Sequence, residues 1–289
     1  MSVHEDHPSI WSALREVEYT QGYVDAGGIR TRYVESGPHD APAVVMIHGT
    51  GGHWETFARN LAPYGEHFHV VAFDLIGHGF SDRPDYDYEI PNYVDHTLAV
   101  MDAFEIECAH LLGTSLGSWI AAAIALRHPD RVDKMVLMSA AGLIASEENM
   151  QRIIATRMKA VEDPNWDSIK AMFDHLMFDE SNRLPDLVSL RQAIYRLPGM
   201  VDTMRHTLVL QDMETRNRNL LSEDEWRSIE HPTLTIASGQ DVSEYSNTSR
   251  RVAELMPNAH VVEMPDVKHW PHFEDADTFN RVSLDFLLS

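Results

Sequence analysis

Gly113-Thr114-Ser115-Leu116-Gly117 is a G-x-S-x-G pattern lying between the apolar run 109–112 and the small, apolar stretch 119–126. A strand, a tight turn and a helix are the setting in which this pattern does chemistry. Glycines two residues either side of the serine leave no Cβ to block a close strand-to-helix approach, and the serine is held strained with its hydroxyl raised into a cleft. Ser115 is therefore a candidate nucleophile. A glycine-bounded loop with an incidental serine has the same pattern, so the rest of the machinery must be sought elsewhere in the chain.

A serine hydroxyl is a poor nucleophile at neutral pH and needs a base within hydrogen-bond reach, itself oriented by a carboxylate. Asp241 follows the apolar run 233–237 through Ser238-Gly239-Gln240, and His269 follows the run 260–264 through Pro265-Asp266-Val267-Lys268. An aspartate bonding its own turn would look the same as Asp241, and Glu244 is the substitute acid. Attack on a carbonyl creates an oxyanion that needs two preorganised N–H donors, worth about 3–4 kcal/mol of barrier each. The N–H of Leu116 is expected to supply one. The other is expected from His48-Gly49-Thr50-Gly51-Gly52 after the run 43–47, with Thr50 the first choice and Gly51 the second. This loop is not a dinucleotide fingerprint, because after Gly49-x-Gly51 the third glycine position is Trp54.

A parallel sheet must position these residues. Short continuous apolar runs at 43–47, 70–73, 109–112 and 135–138 read as strands buried on both faces, and 92–105 and 116–127 carry helix-length patterns between them. That alternation predicts right-handed βαβ crossovers and a doubly wound, mostly parallel α/β sheet. Residues 17–34 read as a hairpin turning at Asp25-Ala26-Gly27-Gly28 and covering a sheet edge. From about 146 to 227 the chain has only helical patterns, broken at Pro164, Pro185 and Pro198; strand runs resume at 233–237 and 260–264, with helices near 245–255 and 276–288. The expected organisation is a core of 1–145 and 228–289 split around a helical insertion at 146–227.

The 289 residues can bury a large core without staples. The single cysteine, Cys108, forms no internal disulfide; it suits a reducing compartment and is read as a core or near-core filler. The start carries acids where a signal peptide carries basic residues, and no apolar run approaches the roughly 18 residues of a membrane span, so a soluble, cytoplasmic protein is expected. A net charge of −22 repels nucleic acid and anionic membranes, and an anionic substrate would need a dedicated cation in its pocket.

The His48-Gly49 loop, Asp74-Leu75-Ile76-Gly77-His78-Gly79-Phe80-Ser81-Asp82, the serine elbow and His269-Trp270-Pro271-His272-Phe273-Glu274 together resemble the α/β-hydrolase fold family over nearly the whole chain. The resemblance implies the chain order serine, acid, histidine, hence Ser115, Asp241 and His269 as a triad, with the helical insertion as a cap over the pocket. It also implies that Gly77-His78-Gly79 is a structural turn. A serine at 115 is unlike the aspartate of haloalkane dehalogenases and epoxide hydrolases. Within the family the chain is most similar to the meta-cleavage product hydrolases, which split a carbon–carbon bond in 2-hydroxy-6-oxo-dienoates. The elbow, Leu190-Arg191-Gln192-Ala193-Ile194, and His269-Trp270 followed by Glu274 to Arg281 carry that likeness.

In that group an arginine placed as Arg191 is grips the substrate carboxylate and a tryptophan placed as Trp270 is lines the pocket; Gly49 and Gly51 would bring backbone close to substrate. Two departures stand out: Thr114 and Ser118 replace an asparagine and a glycine, and the oxyanion loop is shorter and lacks a proline. An arginine on a polar helix face is also commonly just solvated. A carboxylesterase or lactonase acting on uncharged esters, and a non-catalytic ligand-binding homologue, remain alternatives. His67-Phe68-His69 has no further metal-ligand partner in sequence and reads as a loop entering a strand. No metal, cofactor, nucleic acid or membrane partner is expected; the partner is a small molecule, a carboxylate if Arg191 faces the pocket, with a homodimer or higher homo-oligomer implied by analogy alone.

Overall fold

The computed structural model describes residues 8–15, 17–241 and 244–289; the acidic start read above, residues 1–7, lies outside the described residues. Eight strands form one sheet: β1 (Tyr19–Ala26), β2 (Ile29–Ser36), β3 (Ala43–Ile47), β4 (His69–Phe73), β5 (Ala109–Thr114), β6 (Val132–Met138), β7 (Thr233–Ser238) and β8 (Ala259–Met264). Their order is β1-β2-β4-β3-β5-β6-β7-β8. Strand β2 pairs antiparallel with β1 and β4, and every other neighbouring pair is parallel. The hairpin covers the edge as the Asp25–Gly28 turn signal implied, and the mostly parallel α/β arrangement is the expected one.

The central strands are buried on both faces, so alternate residues enter different cores. Val44 and Met46 of β3 join one apolar cluster, whereas Val45 and Ile47 join the other. The first cluster takes Leu61 and Tyr64 from α2 (Leu61–Gly65), and Phe279 and Leu287 from α13 (Ala276–Leu287), which lies last in the chain. The second cluster takes residues of α3 (Ile90–Ala103), α4 (Leu116–Arg127) and α11 (Glu244–Leu255). Helix α4 is apolar all round because the sheet and its neighbours enclose it: residues 116–125 are all buried.

Between β6 and β7 come six helices: α5 (Glu147–Glu162), α6 (Trp166–Leu176), α7 (Pro185–Tyr195), α8 (Met200–Thr207), α9 (Met213–Asn219) and α10 (Glu223–Ser228). No strand interrupts them among the described residues. Ser146 and Asn165 cap α5 and α6 by accepting the backbone N–H groups of Asn149 and Ser168, and α5 packs on α6 and α8. The remaining helices are α1 (Ile10–Leu14) and α12 (Pro271–Glu274), and no described helix is long and apolar enough to cross a membrane. Cys108 departs from its expected place: it is exposed, in the turn between α3 and β5. The burial pattern of β5 starts one residue later, at Ala109.

Several histidines serve as neutral struts. His96 accepts the Ile76 N–H at Nδ1 (3.1 Å), which leaves Nε2–H to donate to the Thr31 hydroxyl (2.7 Å). Burial pushes His96 down to about 3, His272 to about 3 and His78 to about 4. The unfolded chain binds protons near pH 6.5 that the folded chain refuses, so stability is lost as pH falls from there toward the folded values. Going from pH 7.5 to 5.5, these three groups are expected to remove about 4 kcal/mol of unfolding free energy. Urea unfolding at the two pH values measures this; unchanged midpoints would show that the imidazoles are not held neutral.

Candidate active site

The serine turn is built at the junction of β5 and α4. Ser115 adopts φ 53°, ψ −113°, a conformation a non-glycine residue holds only when its surroundings impose it. They do so here. A Cβ on Gly117 would lie 2.0 Å from the Ile47 carbonyl oxygen, and one on Gly113 would lie 2.4 Å from Gly117 C. The Ser115 N–H donates to the Met138 carbonyl (3.0 Å), tying the turn to β6. Ser118 donates its hydroxyl to the Ser115 carbonyl (2.6 Å) and accepts the Ala141 N–H (2.9 Å), bracing the turn from its helical side.

His269 lies in the loop after β8 and Asp241 in the loop after β7, and the fold brings them together: His269 Nδ1 to Asp241 Oδ2 is 2.8 Å. A carboxylate only accepts, so Nδ1 carries the proton and Nε2 is left as the basic nitrogen. The Tyr245 ring packs edge-on against His269 at 4.7 Å. Glu244 is engaged elsewhere, accepting from Asn149 Nδ2 of α5 (2.8 Å). Glu274 fixes the histidine loop to the helical segment, accepting the N–H groups of Lys268 (2.6 Å) and Phe178 (2.5 Å), while the His269 N–H donates to the Leu176 carbonyl (3.0 Å).

The loop after β3 is set by a second neutral imidazole. His48 Nε2 accepts the Leu75 N–H (3.0 Å) and Nδ1–H donates to the Gly49 carbonyl (2.8 Å); burial holds its pKa well below the ordinary histidine value. Gly49 packs against Ser115, a Cβ there lying 3.2 Å from the Ser115 Cβ. Gly51 has φ +70°, and its missing Cβ faces the Tyr195 hydroxyl (3.1 Å) and Arg157 Nε (3.8 Å). Beneath the loop, Arg32 binds Asp74 (2.7 Å) and Glu55 (2.7 Å), and Glu55 also meets His53 Nδ1 (2.9 Å). His78 lies in the turn below, its Nδ1 bonded to the Ile76 carbonyl (2.9 Å).

Ser115, His269, Gly49, Thr50, Trp270 and Arg157 border one void of about 30 Å³. Asp241, His269, Tyr245 and Arg157 border another of about 50 Å³ between α5 and α6. That void shares Thr156, Met172 and His175 with an open groove of about 600 Å³ beside Trp166. Trp270 stands edge-on to Phe173 of α6 at 5.8 Å. Arg191 is fully buried, and none of its three guanidinium nitrogens has a hydrogen-bond partner. Burial pushes its pKa down, Tyr195 opposes this, and Arg157 adds to it.

A larger surface depression, about 620 Å³ around Glu35 and His39, lies at the opposite end of the sheet, where β4 begins. There the side chains of Glu35, His39 and His69 come within 4.8 Å of one another. It contains none of the residues discussed as chemically competent.

Comparison with known proteins matches residues 42–276 to the model of the alpha/beta hydrolase fold family. The chain belongs to the α/β-hydrolase fold family. Within it, the chain is 31% identical to the 2-hydroxymuconate semialdehyde hydrolase of Pseudomonas sp. (strain CF600), over 91% of this chain and 92% of that one. It is also 31% identical to the 2-hydroxy-6-oxo-6-phenylhexa-2,4-dienoate hydrolase of Burkholderia cepacia, over 85% and 87%. A meta-cleavage product hydrolase from Pseudomonas fluorescens IP01, solved as an S103A mutant with acetates, superposes with a TM-score of 0.81 at 28% identity, covering 94% of this chain and 98% of that one. The likeness to meta-cleavage product hydrolases read from the sequence thus holds for the α/β-hydrolase relatives found.

Sequence reasoning missed Tyr245, Glu274 as a clamp, and above all Arg157. Nothing local marks Arg157, because a surface arginine of an amphipathic helix has the same sequence context. Replacing Asp241 by Asn would turn an acceptor into a donor and favour the wrong His269 tautomer. If Asp241 orients His269, kcat on p-nitrophenyl acetate falls by about 10⁴-fold with an unchanged circular dichroism spectrum; a loss under tenfold would remove Asp241 from the machinery.

Proposed function

We propose that this α/β-hydrolase is a serine enzyme that cleaves the C5–C6 bond of a 2-hydroxy-6-oxo-dienoate, with Ser115 as nucleophile, His269 as base and Asp241 as its orienting acid. The observation that carries the substrate class is Arg191, a fully buried guanidinium without a hydrogen-bond partner. Leaving such a charge unpaired costs several kcal/mol, which a ligand carboxylate would recover. The names of the relatives, hydrolases of 2-hydroxymuconate semialdehyde and of a phenylhexadienoate, support the same reading.

In this mechanism His269 first moves the dienol proton to C5, giving the keto form. It then takes the Ser115 proton as the oxygen attacks C6, and the Thr50 and Leu116 N–H groups, which bond to nothing else among the described residues, hold the oxyanion. The C5–C6 bond breaks with its electron pair delocalised into the 2-oxo-enoate half, which leaves as the protonated dienol form. Water activated by His269 hydrolyses the acyl ester on Ser115, releasing a carboxylic acid.

Helices α5–α10, residues 147–228, fill the expected insertion at 146–227 and serve as the cap. The voids beside Ser115 hold only a few waters, so α5 and α6 must part to admit a substrate. The partner is a small molecule, and the lone cysteine suits a reducing, cytoplasmic setting.

The test is steady-state cleavage of a 2-hydroxy-6-oxo-dienoate, followed by loss of its visible absorbance. Ser115→Ala abolishes turnover in a folded protein, and Arg191→Leu lowers kcat/KM by about 10–100-fold, the worth of a charge-assisted hydrogen bond. Robust p-nitrophenyl ester turnover insensitive to Arg191→Leu, with no dienoate cleavage, would move the protein to the esterases or lactonases.

A further inference from the structure

Four arginines are buried among the described residues: Arg32, Arg157, Arg191 and Arg216. Two are hydrogen-bonded by the protein itself. Arg32 is paired with Asp74 and Glu55, and Arg216 donates Nη1–H to the Leu210 carbonyl (3.1 Å) while stacking over Trp119, its Nε and Nη2 staying without a partner. Arg157 and Arg191 are not. Arg157, on α5, is 9% exposed, forms no hydrogen bond or ion pair among the described residues, and has its Nη1 buried without a partner.

The two unpaired cations differ in position. Arg157 lines both voids, the one bordered by Ser115 and the one bordered by Asp241, whereas Arg191 lines neither. Both are close enough to repel each other, and Glu55, the carboxylate that acts on Arg191, is already bonded to Arg32 and His53. An arginine does not shed its proton at physiological pH, so the closed site carries two positive charges with no protein counter-ion dedicated to them. A ligand with one carboxylate would compensate one of them and leave the other desolvated.

We propose that Arg157 is a second anion-recognising residue, and that the site takes dianionic substrates: dienoates whose C6 carbonyl bears a substituent ending in its own carboxylate. This rests on the reading of the site as a dienoate hydrolase. The carbonyl attacked by Ser115 is C6, so the group attached to C6 meets Arg157, the buried arginine that borders the same void as Ser115. The dienoate carboxylate, five carbons away, is left to Arg191, which borders neither void. A chain with a net charge of −22 attracts such a substrate only at a site where cations are concentrated, and the buried pair provides one.

The experiment compares 2-hydroxy-6-oxonona-2,4-diene-1,9-dioate with 2-hydroxy-6-oxohepta-2,4-dienoate on the full chain and on Arg157→Met and Arg157→Lys. The wild-type protein prefers the dianion at least tenfold in kcat/KM, and Arg157→Met reduces that ratio at least tenfold, chiefly through KM. Arg157→Lys restores part of it. An unchanged ratio, or a wild type without preference, overturns the proposal. Binding is read independently by tryptophan fluorescence with nonanedioate and nonanoate: the wild type binds the diacid more tightly, and Arg157→Met erases the difference. Equal affinities overturn the two-anion site. Absence of dienoate cleavage with retained diacid preference overturns instead the proposed reaction.

Discussion

The structure depends on one enforced backbone conformation, that of Ser115. A residue at φ 53° and ψ −113° is unfavourable in isolation by roughly 1–3 kcal/mol, and it persists because β3, β6 and α4 all close on it. Gly117 must be glycine because the Ile47 carbonyl occupies the space of its side chain, and Gly113 because Gly117 itself does. The Ser118 hydroxyl, bonded to the Ser115 carbonyl and the Ala141 N–H, extends the brace into the loop after β6. The serine that departs from the related group's glycine is thus part of the scaffold.

Around that point the protein separates two kinds of buried polar group. Histidines 48, 78 and 96 are neutral connectors whose tautomers follow from what they bond, and they hold the loops at the carboxyl ends of β3 and β4 in place. Ion pairs do the same where charge is unavoidable: Arg32, Asp74 and Glu55 are closed on one another beneath the loop after β3. Each of these groups has at least one hydrogen-bond partner, as a buried polar group needs to limit its desolvation penalty. Arg157 and Arg191 have none, and both lie at one place, where α5, α7 and Gly51 meet. Two buried cations without a hydrogen bond at one place are what the proposed carboxylate ligand would neutralise.

The division of labour between core and cap follows from this. The core carries Ser115, Asp241, His269 and the loop after β3, all at the carboxyl ends of the parallel strands. The helical segment carries Arg157 and Arg191 and packs Phe173 against Trp270 and Leu176 against the histidine loop. Glu274 joins the two by accepting backbone N–H groups from both sides.

What the sequence determined by itself is whatever is encoded locally. Apolar runs located the strands to within a few residues, because a strand buried on both faces tolerates little else, and the elbow, with Asp241 and His269 after late strands, was legible because each needs a particular residue at a strand end. Cys108 was misread as core because one position decides whether a residue belongs to β5 or to the turn before it. Only the tertiary structure decided which acid meets His269. Asp241 and Glu244 are three residues apart, and the direction of α11 sends Glu244 to Asn149. The fold also decided that Arg157 and Arg191, 34 positions apart on two amphipathic helices, lose their solvent together. Burial of a charge depends on which faces pack, and that is a property of the assembled helices rather than of any local pattern.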